Sequence, residues 1–318
     1  MRLIFCGTPL FAVPSLRRLI AEPGFEVAAV ITQPDRPQGR GNEITFSPVK
    51  QIALDSGIPA HQPVKIRAPE FQPVLEQIAA DAIVIIAYGQ IIPARLLTIP
   101  RLGWINLHAS LLPKYRGAAP INWAIVSGET ATGVTTMRID AGMDTGDLLL
   151  QKEIAIGPTE TAPELAGRMS EAGAPLMIET LRALQYGALT PRAQDHAQAS
   201  VAPILKKEDG RIDWRRPARE IFNRMRGFAP WPGATTTFRG LGCQLWGEPS
   251  GNDDPMHEGR RDTPGTIHFM LGKAPLLLVV CGAGALRITG VKLEGRKQIS
   301  ATEFLNGAHL LRGEIFGA

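Results

Sequence analysis

The stretch LIFCGTPLFAVPSLRRLIAEPGFEVAAVI, residues 3–31, decides the fold. It opens with four apolar residues, turns at Gly7, and then carries apolar residues at helical spacing between Phe11 and Ile20. A second apolar run, Val27–Ile31, follows. Uninterrupted apolar runs predict strands that are covered on both faces, as in parallel sheets with helical crossovers. The stretch therefore predicts a β-α-β unit of an α/β fold.

The same alternation of apolar runs and amphipathic stretches continues to about residue 150. Two more buried strands are predicted at Ala82–Ala87 and Gly103–His108, and helices at Pro48–Ser56, Ala68–Ala80 and Thr159–Gly187. Ligands of such sheets bind beyond the carboxyl ends of the strands. We therefore expect a mostly parallel, Rossmann-like sheet with its site in the loops that follow these strands.

Beyond residue 188 the sequence changes character. Residues 189–205, rich in Ala, Gln and Pro, predict a linker, and a basic helix is predicted at 217–226. After it only short strands are predicted, at Ala234–Arg239, Gln244–Trp246, Gly265–Met270, Leu276–Val280 and Leu286–Lys292. Short strands separated by turn signals are typical of a small β-barrel such as the OB-fold. We expect a catalytic domain over 1–188 and a second domain over 206–318.

Composition excludes several classes of protein. With 44% hydrophobic and 20% charged residues, the chain can bury a core. Its three cysteines form no CxxC pair, which excludes a disulfide framework and a cysteine zinc finger. The longest apolar runs are far shorter than the roughly 20 residues that cross a bilayer. We expect a cytoplasmic protein, without a membrane partner and monomeric.

Positive charge is concentrated in the second half of the chain. Residues 189–318 hold 18 Lys and Arg against 13 Asp and Glu, which accounts for the net charge of +4. This distribution suggests that the second domain meets a polyanion, although an ordinary solvated surface is an equal alternative. No metal is expected, because the six histidines lack ligand spacing and the glycines between Asp140, Asp144 and Asp147 favour a tight turn.

Polar side chains gather where the last predicted strand of the sheet ends. Asn106 and His108 project to one face of that strand, because side chains alternate along it. The loop 110–117 contains Pro113 and Gly117 and must turn beside them, while the turn 140–146 offers the Asp144 carboxylate. Buried polar groups satisfied within the core, and Asx turns, remain the plain alternatives.

These residue types suit the transfer of an acyl group. Asn supplies an N–H donor that keeps its proton, His supplies a donor or a base, and Asp can orient the imidazole. Donors next to a proton acceptor can stabilise a tetrahedral oxyanion, and one such donor contributes about 3 kcal/mol.

Three ordered motifs resemble the 10-formyltetrahydrofolate-dependent formyltransferases. They are Asn106-x-His108, Ser110-Leu-Leu-Pro-x-Tyr-Arg-Gly117 and Asp140-x-Gly-x-Asp144-Thr-Gly. Further segments resemble the branch of that family that acts on methionyl initiator tRNA: Gly7-Thr-Pro, Gln33–Gly41, Ser47–Lys50, Ala87–Gly89, Lys206–Trp214 and Pro230–Ala234. The resemblance covers residues 3 to about 312. It implies a Rossmann-like domain followed by an OB-fold-like barrel.

The resemblance also implies partners and site residues. The formyl donor would be 10-formyltetrahydrofolate and the acceptor the α-amino group of methionyl initiator tRNA, with Asn106, His108 and Asp144 as catalytic residues. The folate-binding residues would be Ser110, Leu111, Leu112, Pro113, Ala87, Tyr88 and Gly89. The tRNA-binding residues would be Arg36, Arg40, Lys206, Lys207 and Arg211. Asn42 and Glu43 depart from the more basic residues expected there and weaken the positive field of the loop 34–43.

Two other functions are compatible with the sequence. One is a formyltransferase of the same fold that acts on an amino sugar nucleotide, which shares the Asn-x-His and Ser-Leu-Leu-Pro motifs. The other is an RNA-binding module on an inactive Rossmann-like domain, which would not require Asn106, His108 and Asp144 together. The segments Asp35–Gly41 and Lys206–Trp214 favour the tRNA substrate over both.

Overall fold

The computed structural model describes residues 1–38, 43–251, 262–272 and 275–317. The chain forms two compact units, and it enters each of them more than once. The first unit consists of Met1–Pro120, Ala131–Ala155 and Glu164–Pro203, and the second of Ile121–Thr130, Ile156–Pro163 and Ile204–Ala318. Two short stretches that precede residue 188 thus belong to the second unit. The domain bounds of 1–188 and 206–318 stay a prediction.

Strands and helices interleave along the first part of the described chain, and short strands dominate the last part. The strands are β1 (Arg2–Gly7), β2 (Glu26–Ile31), β3 (Arg36–Gln38), β4 (Glu43–Thr45), β5 (Ala60–His61), β6 (Ala82–Ile86), β7 (Trp104–His108), β8 (Arg116–Gly117), β9 (Ala131–Arg138), β10 (Leu148–Ala155), β11 (Val201–Ala202), β12 (Thr235–Phe238), β13 (Leu241–Pro249), β14 (Ile267–Met270), β15 (Leu276–Val280), β16 (Ala285–Leu293) and β17 (Ile299–Ser300). The helices are α1 (Val13–Ala21), α2 (Pro48–Asp55), α3 (Gln72–Ile78), α4 (Ala94–Leu97), α5 (Pro120–Val126), α6 (Ala162–Gln185), α7 (Ala218–Gly227) and α8 (Ala301–Ala308).

The first unit is built on one sheet with the strand order β10-β9-β7-β6-β1-β2-β5. Neighbouring strands from β7 to β5 run parallel, and β9 and β10 are antiparallel additions at one edge. The predicted mostly parallel sheet is confirmed. Its central strands are buried: all of β6 and all but the first residue of β1 are shielded from solvent.

Local sequence explains where the helices begin and how closely they approach the sheet. Ser47 caps α2, its Oγ accepting a hydrogen bond from the Lys50 N–H at 3.1 Å, and Pro48 fits the first helical turn. On α6, Gly173 lies against the side chain of Leu107 in β7, and a Cβ at this position would overlap with it. The missing side chain therefore lets α6 pack directly on the strand that carries Asn106 and His108.

The second unit contains the antiparallel sheet β12-β13-β16-β15-β14, with β17 paired to β16. Its core combines strand residues with aromatic rings from outside the sheet, including Trp214, Phe304 and Phe316. The prediction of a second, small β domain is confirmed, and the sheet of this domain is antiparallel. In the described part of the chain, no helix is both long and apolar enough to cross a membrane.

Candidate active site

Strand β7 carries Asn106 and His108 to the carboxyl end of the sheet. It lies between the parallel strand β6 and the antiparallel strand β9, so its backbone is held on both sides. The His108 side chain is 6% exposed and Asn106 is half-buried. Within the described residues the Asn106 side chain has no hydrogen-bond partner, so its amide is available to a ligand.

Both ring nitrogens of His108 face acceptors. Nε2 lies 2.9 Å from the backbone oxygen of Tyr115, and because a carbonyl only accepts, Nε2 must carry the hydrogen. Nδ1 lies 3.6 Å from Oδ2 of Asp144, a charge contact for the protonated ring that is longer than a hydrogen bond. The imidazole is therefore fixed by one backbone group and presents its Nδ1 edge to a carboxylate.

Asp144 is held by the turn predicted at 140–146. Its Oδ2 accepts a hydrogen bond of 2.8 Å from the Gly117 N–H, and its own backbone has a left-handed φ of 54°. Asp140 stabilises the turn instead of joining the site, since its carboxylate accepts bonds from the Gly142 N–H and the Thr145 hydroxyl. The turn therefore contains two carboxylates with different roles: Asp140 stabilises the turn, and Asp144 reaches His108.

The segment Ser110–Pro113 follows β7 directly, as expected. The Ser110 hydroxyl donates to the Lys114 carbonyl at 2.6 Å, and the Leu112 carbonyl accepts from Gln151 at 2.9 Å. The Leu112 side chain packs with Met137 and Leu148, and the bond before Pro113 is cis. Leu111 is half-buried. The segment is rigidly tied to the strands beside it through these contacts.

The segment Ala87–Gly89 follows the neighbouring strand β6 and lines a cleft. The cleft has a volume of about 770 Å³ and is lined by Thr8, Pro9, Gln33, Pro34, Asp35, Arg36, Thr45, Ser47, Val64, Lys65, Arg67, Ala87, Tyr88, Gly89, Gln90 and Ile91. Ala87 and Gly89 have positive φ, and Gln33 donates to the Tyr88 carbonyl at 3.0 Å. Asn106, His108 and Asp144 are not among the described residues that line this cleft.

Charge in the cleft is mixed, with a positive excess. Lys50 pairs with Asp35, and this hydrogen bond lowers the pKa of that carboxyl. Arg36, Lys65 and Arg67 add three exposed cations. The Tyr88 ring is buried beneath the cleft, which raises the pKa of its phenol. The exposed cations allow the cleft to accept an anionic ligand, and the phenol of Tyr88 beside them stays neutral.

The predicted tRNA-binding residues lie in different parts of the chain. Arg36 lines the cleft of the first unit, whereas Arg40 and the neighbouring Asn42 lie outside the described residues. In the second unit, Lys206, Lys207 and Arg211 are all exposed around the short helical turn Lys207–Gly210. Solvent therefore reaches every described member of this group.

Three residues beside the site have roles that their sequence context did not predict. Arg116 is part of a predicted motif, but its guanidinium is buried and hydrogen-bonded to Gln194. Gln194 lies in the predicted linker, where the Ala- and Gln-rich composition gives no sign of a role. It donates to the carbonyls of Asp144 and Gly146. The hydroxyl of Ser200, also from this stretch, accepts from the Tyr115 N–H.

The arrangement can stabilise negative charge and accept a proton. A free amide, an imidazole edge and a carboxylate lie at the carboxyl end of one strand, next to two tightly held loops. Among the described residues no three His, Cys, Asp or Glu side chains lie close enough to hold a metal ion. The free amide, the imidazole and the carboxylate are groups that can support acyl transfer by hydrogen bonding and proton transfer.

Known proteins match this chain over nearly its whole length. Residues 1–181 match the family described as formyl transferase, and residues 204–309 its C-terminal domain. The chain is 52% identical to the methionyl-tRNA formyltransferase of Solibacter usitatus, over 100% of this chain and 99% of that protein. It is equally identical to the protein of that name in Acidobacterium capsulatum, with both chains covered completely.

Solved structures share the fold at much lower identity. The N-formyltransferase from Helicobacter canadensis aligns with a TM-score of 0.64 at 18% identity, covering 93% of this chain and 99% of that one. HypX from Aquifex aeolicus aligns with a TM-score of 0.63 at 18% identity, over 96% of this chain but 48% of its own. The fold and the family match together define the class: the chain belongs to the formyl transferase family and is an enzyme of that family.

Proposed function

We propose that this enzyme transfers the formyl group of 10-formyltetrahydrofolate to the α-amino group of methionine esterified to initiator tRNA. The observation that carries the proposal is identity of 52% over the full chain to relatives named for methionyl-tRNA formylation. This chain and these relatives match over their full lengths, so they have the same domains. A different formyl acceptor would therefore have to arise from substitutions within those domains.

In the proposed reaction the amine nitrogen attacks the formyl carbon. The carbonyl oxygen then becomes an oxyanion, which we assign to the free amide of Asn106 and to the Nδ1 edge of His108. The Nε2 hydrogen of His108 is already donated to Tyr115, so the hydrogen for the oxyanion is the one that Nδ1 carries when the ring is protonated. A donor placed for the oxyanion rather than for the ground state lowers the barrier.

Asp144 completes the proposed chemistry. Its carboxylate stabilises the protonated imidazole from 3.6 Å and accepts, directly or through water, the proton that leaves the attacking amine. The tetrahedral intermediate collapses as the bond between the formyl carbon and the folate N10 breaks, and N10 takes up the proton that Asp144 received, directly or through water. The hydrogen bond from Gly117 keeps the Asp144 carboxylate directed into the site.

The substrates would occupy the loops at the carboxyl ends of β6 and β7. We assign the folate to the segments Ala87–Gly89 and Ser110–Pro113, whose backbone groups can pair with the edge of a pterin. Arg36, Arg40, Lys206, Lys207 and Arg211 would contact tRNA phosphates, which give affinity but little discrimination. We further propose that the enzyme acts in the cytoplasm, where its substrate is used in translation, and that it is a monomer.

A competition between acceptors tests the proposal. The enzyme is incubated with 10-formyltetrahydrofolate labelled in the formyl group and with methionyl initiator tRNA, deacylated tRNA plus free methionine, or an amino sugar nucleotide. We expect label only on the methionyl-tRNA. Label on the sugar nucleotide alone would assign the enzyme to the sugar-modifying branch, and absence of label from all acceptors would support an inactive RNA-binding protein.

A further inference from the structure

Gln194 uses both ends of its side-chain amide beside the proposed site. It is 6% exposed and lies in the stretch between α6 and β11. Its Oε1 accepts from Nε and Nη2 of Arg116 at 3.1 and 2.7 Å. Its Nε2 donates to the backbone oxygens of Asp144 and Gly146 at 2.9 and 2.7 Å. Guanidinium groups only donate and carbonyls only accept, so this amide has one permitted orientation.

The two partners of Gln194 lead directly to the proposed catalytic side chains. Arg116 lies between the Tyr115 carbonyl, which accepts from His108, and the Gly117 N–H, which donates to Asp144. Gln194 then connects the Arg116 side chain back to the Asp144 carbonyl. Asp144 is thus held at two points, its carboxylate and its own peptide group, by one closed set of hydrogen bonds.

Backbone strain explains why a second hold on Asp144 is needed. With a φ of 54°, Asp144 adopts a left-handed conformation that side-chain-bearing residues rarely take. Such conformations persist where surrounding contacts over-determine them, and they concentrate at functional sites. The two hydrogen bonds from Gln194 lie on this residue and on Gly146, two positions further along the turn. They fix the strained peptide from which the carboxylate projects toward His108.

We propose that Gln194 is a positioning residue for catalysis, holding Asp144 in reach of His108 through the amide that it shares with Arg116. This inference rests on the proposed role of Asp144. Among the described residues the buried guanidinium of Arg116 pairs with no carboxylate; it contacts the Gln194 amide and Nδ1 of His196, the latter at 3.2 Å. The guanidinium therefore orients the amide of Gln194, and the stretch predicted as a linker contributes to the catalytic centre.

Replacement by Glu separates the two halves of this amide. Gln194→Glu keeps an oxygen for Arg116 but replaces the donor that faces the Asp144 and Gly146 carbonyls with a second acceptor. If Gln194 only pairs with Arg116, the variant should keep its activity. If Gln194 positions Asp144, the variant should lose activity. We expect kcat to fall about tenfold or more, with the KM values for both substrates little changed. Gln198→Glu is the matched control, since Gln198 is exposed and its side chain bonds only to Asp195 among the described residues.

A double-mutant cycle keeps the test independent of any loss of folded protein. Gln194→Met removes both halves of the amide, and we expect it to lower kcat in the wild-type background but not further in Asp144→Asn. Thermal unfolding of each variant shows that the assay temperature lies below its transition. A wild-type kcat in Gln194→Glu, or additive losses in the cycle, would overturn the positioning role alone. A wild-type kcat in Asp144→Asn would overturn the role of Asp144 and the positioning role with it.

Discussion

His108 donates its Nε2 hydrogen to the backbone carbonyl of Tyr115, with 2.9 Å between the two atoms. The imidazole is therefore oriented by the loop that follows its own strand, and no second side chain is needed to select its tautomer. This bond leaves Nδ1 facing the carboxylate of Asp144, and in the protonated ring Nδ1 carries the hydrogen that can be donated to a developing oxyanion.

Removal of either oxyanion donor should slow the chemical step. We expect His108→Ala and Asn106→Ala to lower kcat by about 10²- to 10³-fold, the effect of losing one such donor. KM should change little, because the charge that these groups stabilise exists only in the transition state. Single-turnover formyl transfer at saturating substrates measures the loss. A loss smaller than about tenfold for both variants would contradict their assignment.

Asp144→Asn tests the carboxylate without changing its shape. The amide oxygen can still accept from the Gly117 N–H, so the turn is kept while the negative charge and the proton acceptor are lost. We expect kcat to fall at least about tenfold, in the range of general-base effects. Asp147→Asn is the matched control, because Asp147 is exposed three residues further along. Equal rates for the two variants would show that Asp144 has no catalytic role.

Salt titrations should locate the phosphate contacts. Single Ala substitutions of Arg36, Arg40, Lys206, Lys207 and Arg211 should each weaken tRNA binding and lower the slope of log K against log salt by about 1. Each residue replaces a counterion of the nucleic acid, which is the origin of the slope. Lys152→Ala, an exposed cation on β10, provides the control. An unchanged slope for a variant removes that residue from the interface.

Replacing two glycines of α6 by Ala, one at a time, should change the free energy of unfolding in opposite directions. Gly173→Ala places a Cβ against Leu107 and should lower the free energy of unfolding by about 1–3 kcal/mol. Gly167→Ala meets no atom within 4 Å and should raise it by about 0.5–1 kcal/mol, since Ala loses less backbone entropy on folding. Urea unfolding measures both changes. Similar effects would mean that α6 does not approach β7 closely.

Alkaline pH should weaken the second unit through its buried thiols. Burial raises the pKa of Cys243 and Cys281 to about 12, whereas an unfolded thiol ionises near a pKa of about 8.5. Above the unfolded value only the unfolded chain loses these protons, so stability falls as pH rises from about 9 toward 12. Unfolding of the wild type and of the double variant Cys243→Ala/Cys281→Ala is compared at about pH 8 and about pH 10.5, on either side of the unfolded pKa. The wild type should lose more stability over that interval, and parallel losses would contradict the effect.

Much of the first unit could be predicted because its strands are apolar throughout. The runs in β1, β2, β6 and β7 indicate strands buried on both faces, and the bounds agree to within a residue or two. The strand β9 gave no such signal, because threonines occupy three of its buried positions. Their hydroxyls pair with distant groups: Thr136 with Thr180 at 2.8 Å, and Thr135 with the Ser110 carbonyl at 2.6 Å. A single sequence does not reveal these partners.

The candidate site was predictable only where side chains follow one another along the chain. Asn106 and His108 share a face of one strand, and the glycines around Asp144 indicate its turn. The contributions of Gln194 and Ser200 depend on contacts across 50 and 85 positions of sequence. Such contacts arise from tertiary packing, and the composition of their stretch indicated a linker.

The stretches Ile121–Thr130 and Ile156–Pro163 have a practical consequence for dissecting this enzyme. A fragment that starts at residue 204 would lack the carbonyls of Gly157 and Glu160, to which the buried Arg226 donates at 3.0 Å. It would also lack Trp123, whose ring packs edge-on against Phe228. Cutting the chain before residue 204 would thus leave the buried guanidinium of Arg226 without these acceptors and would expose the ring of Phe228 to solvent. Recombinant halves should need coexpression, and chimaeras should exchange all three segments together.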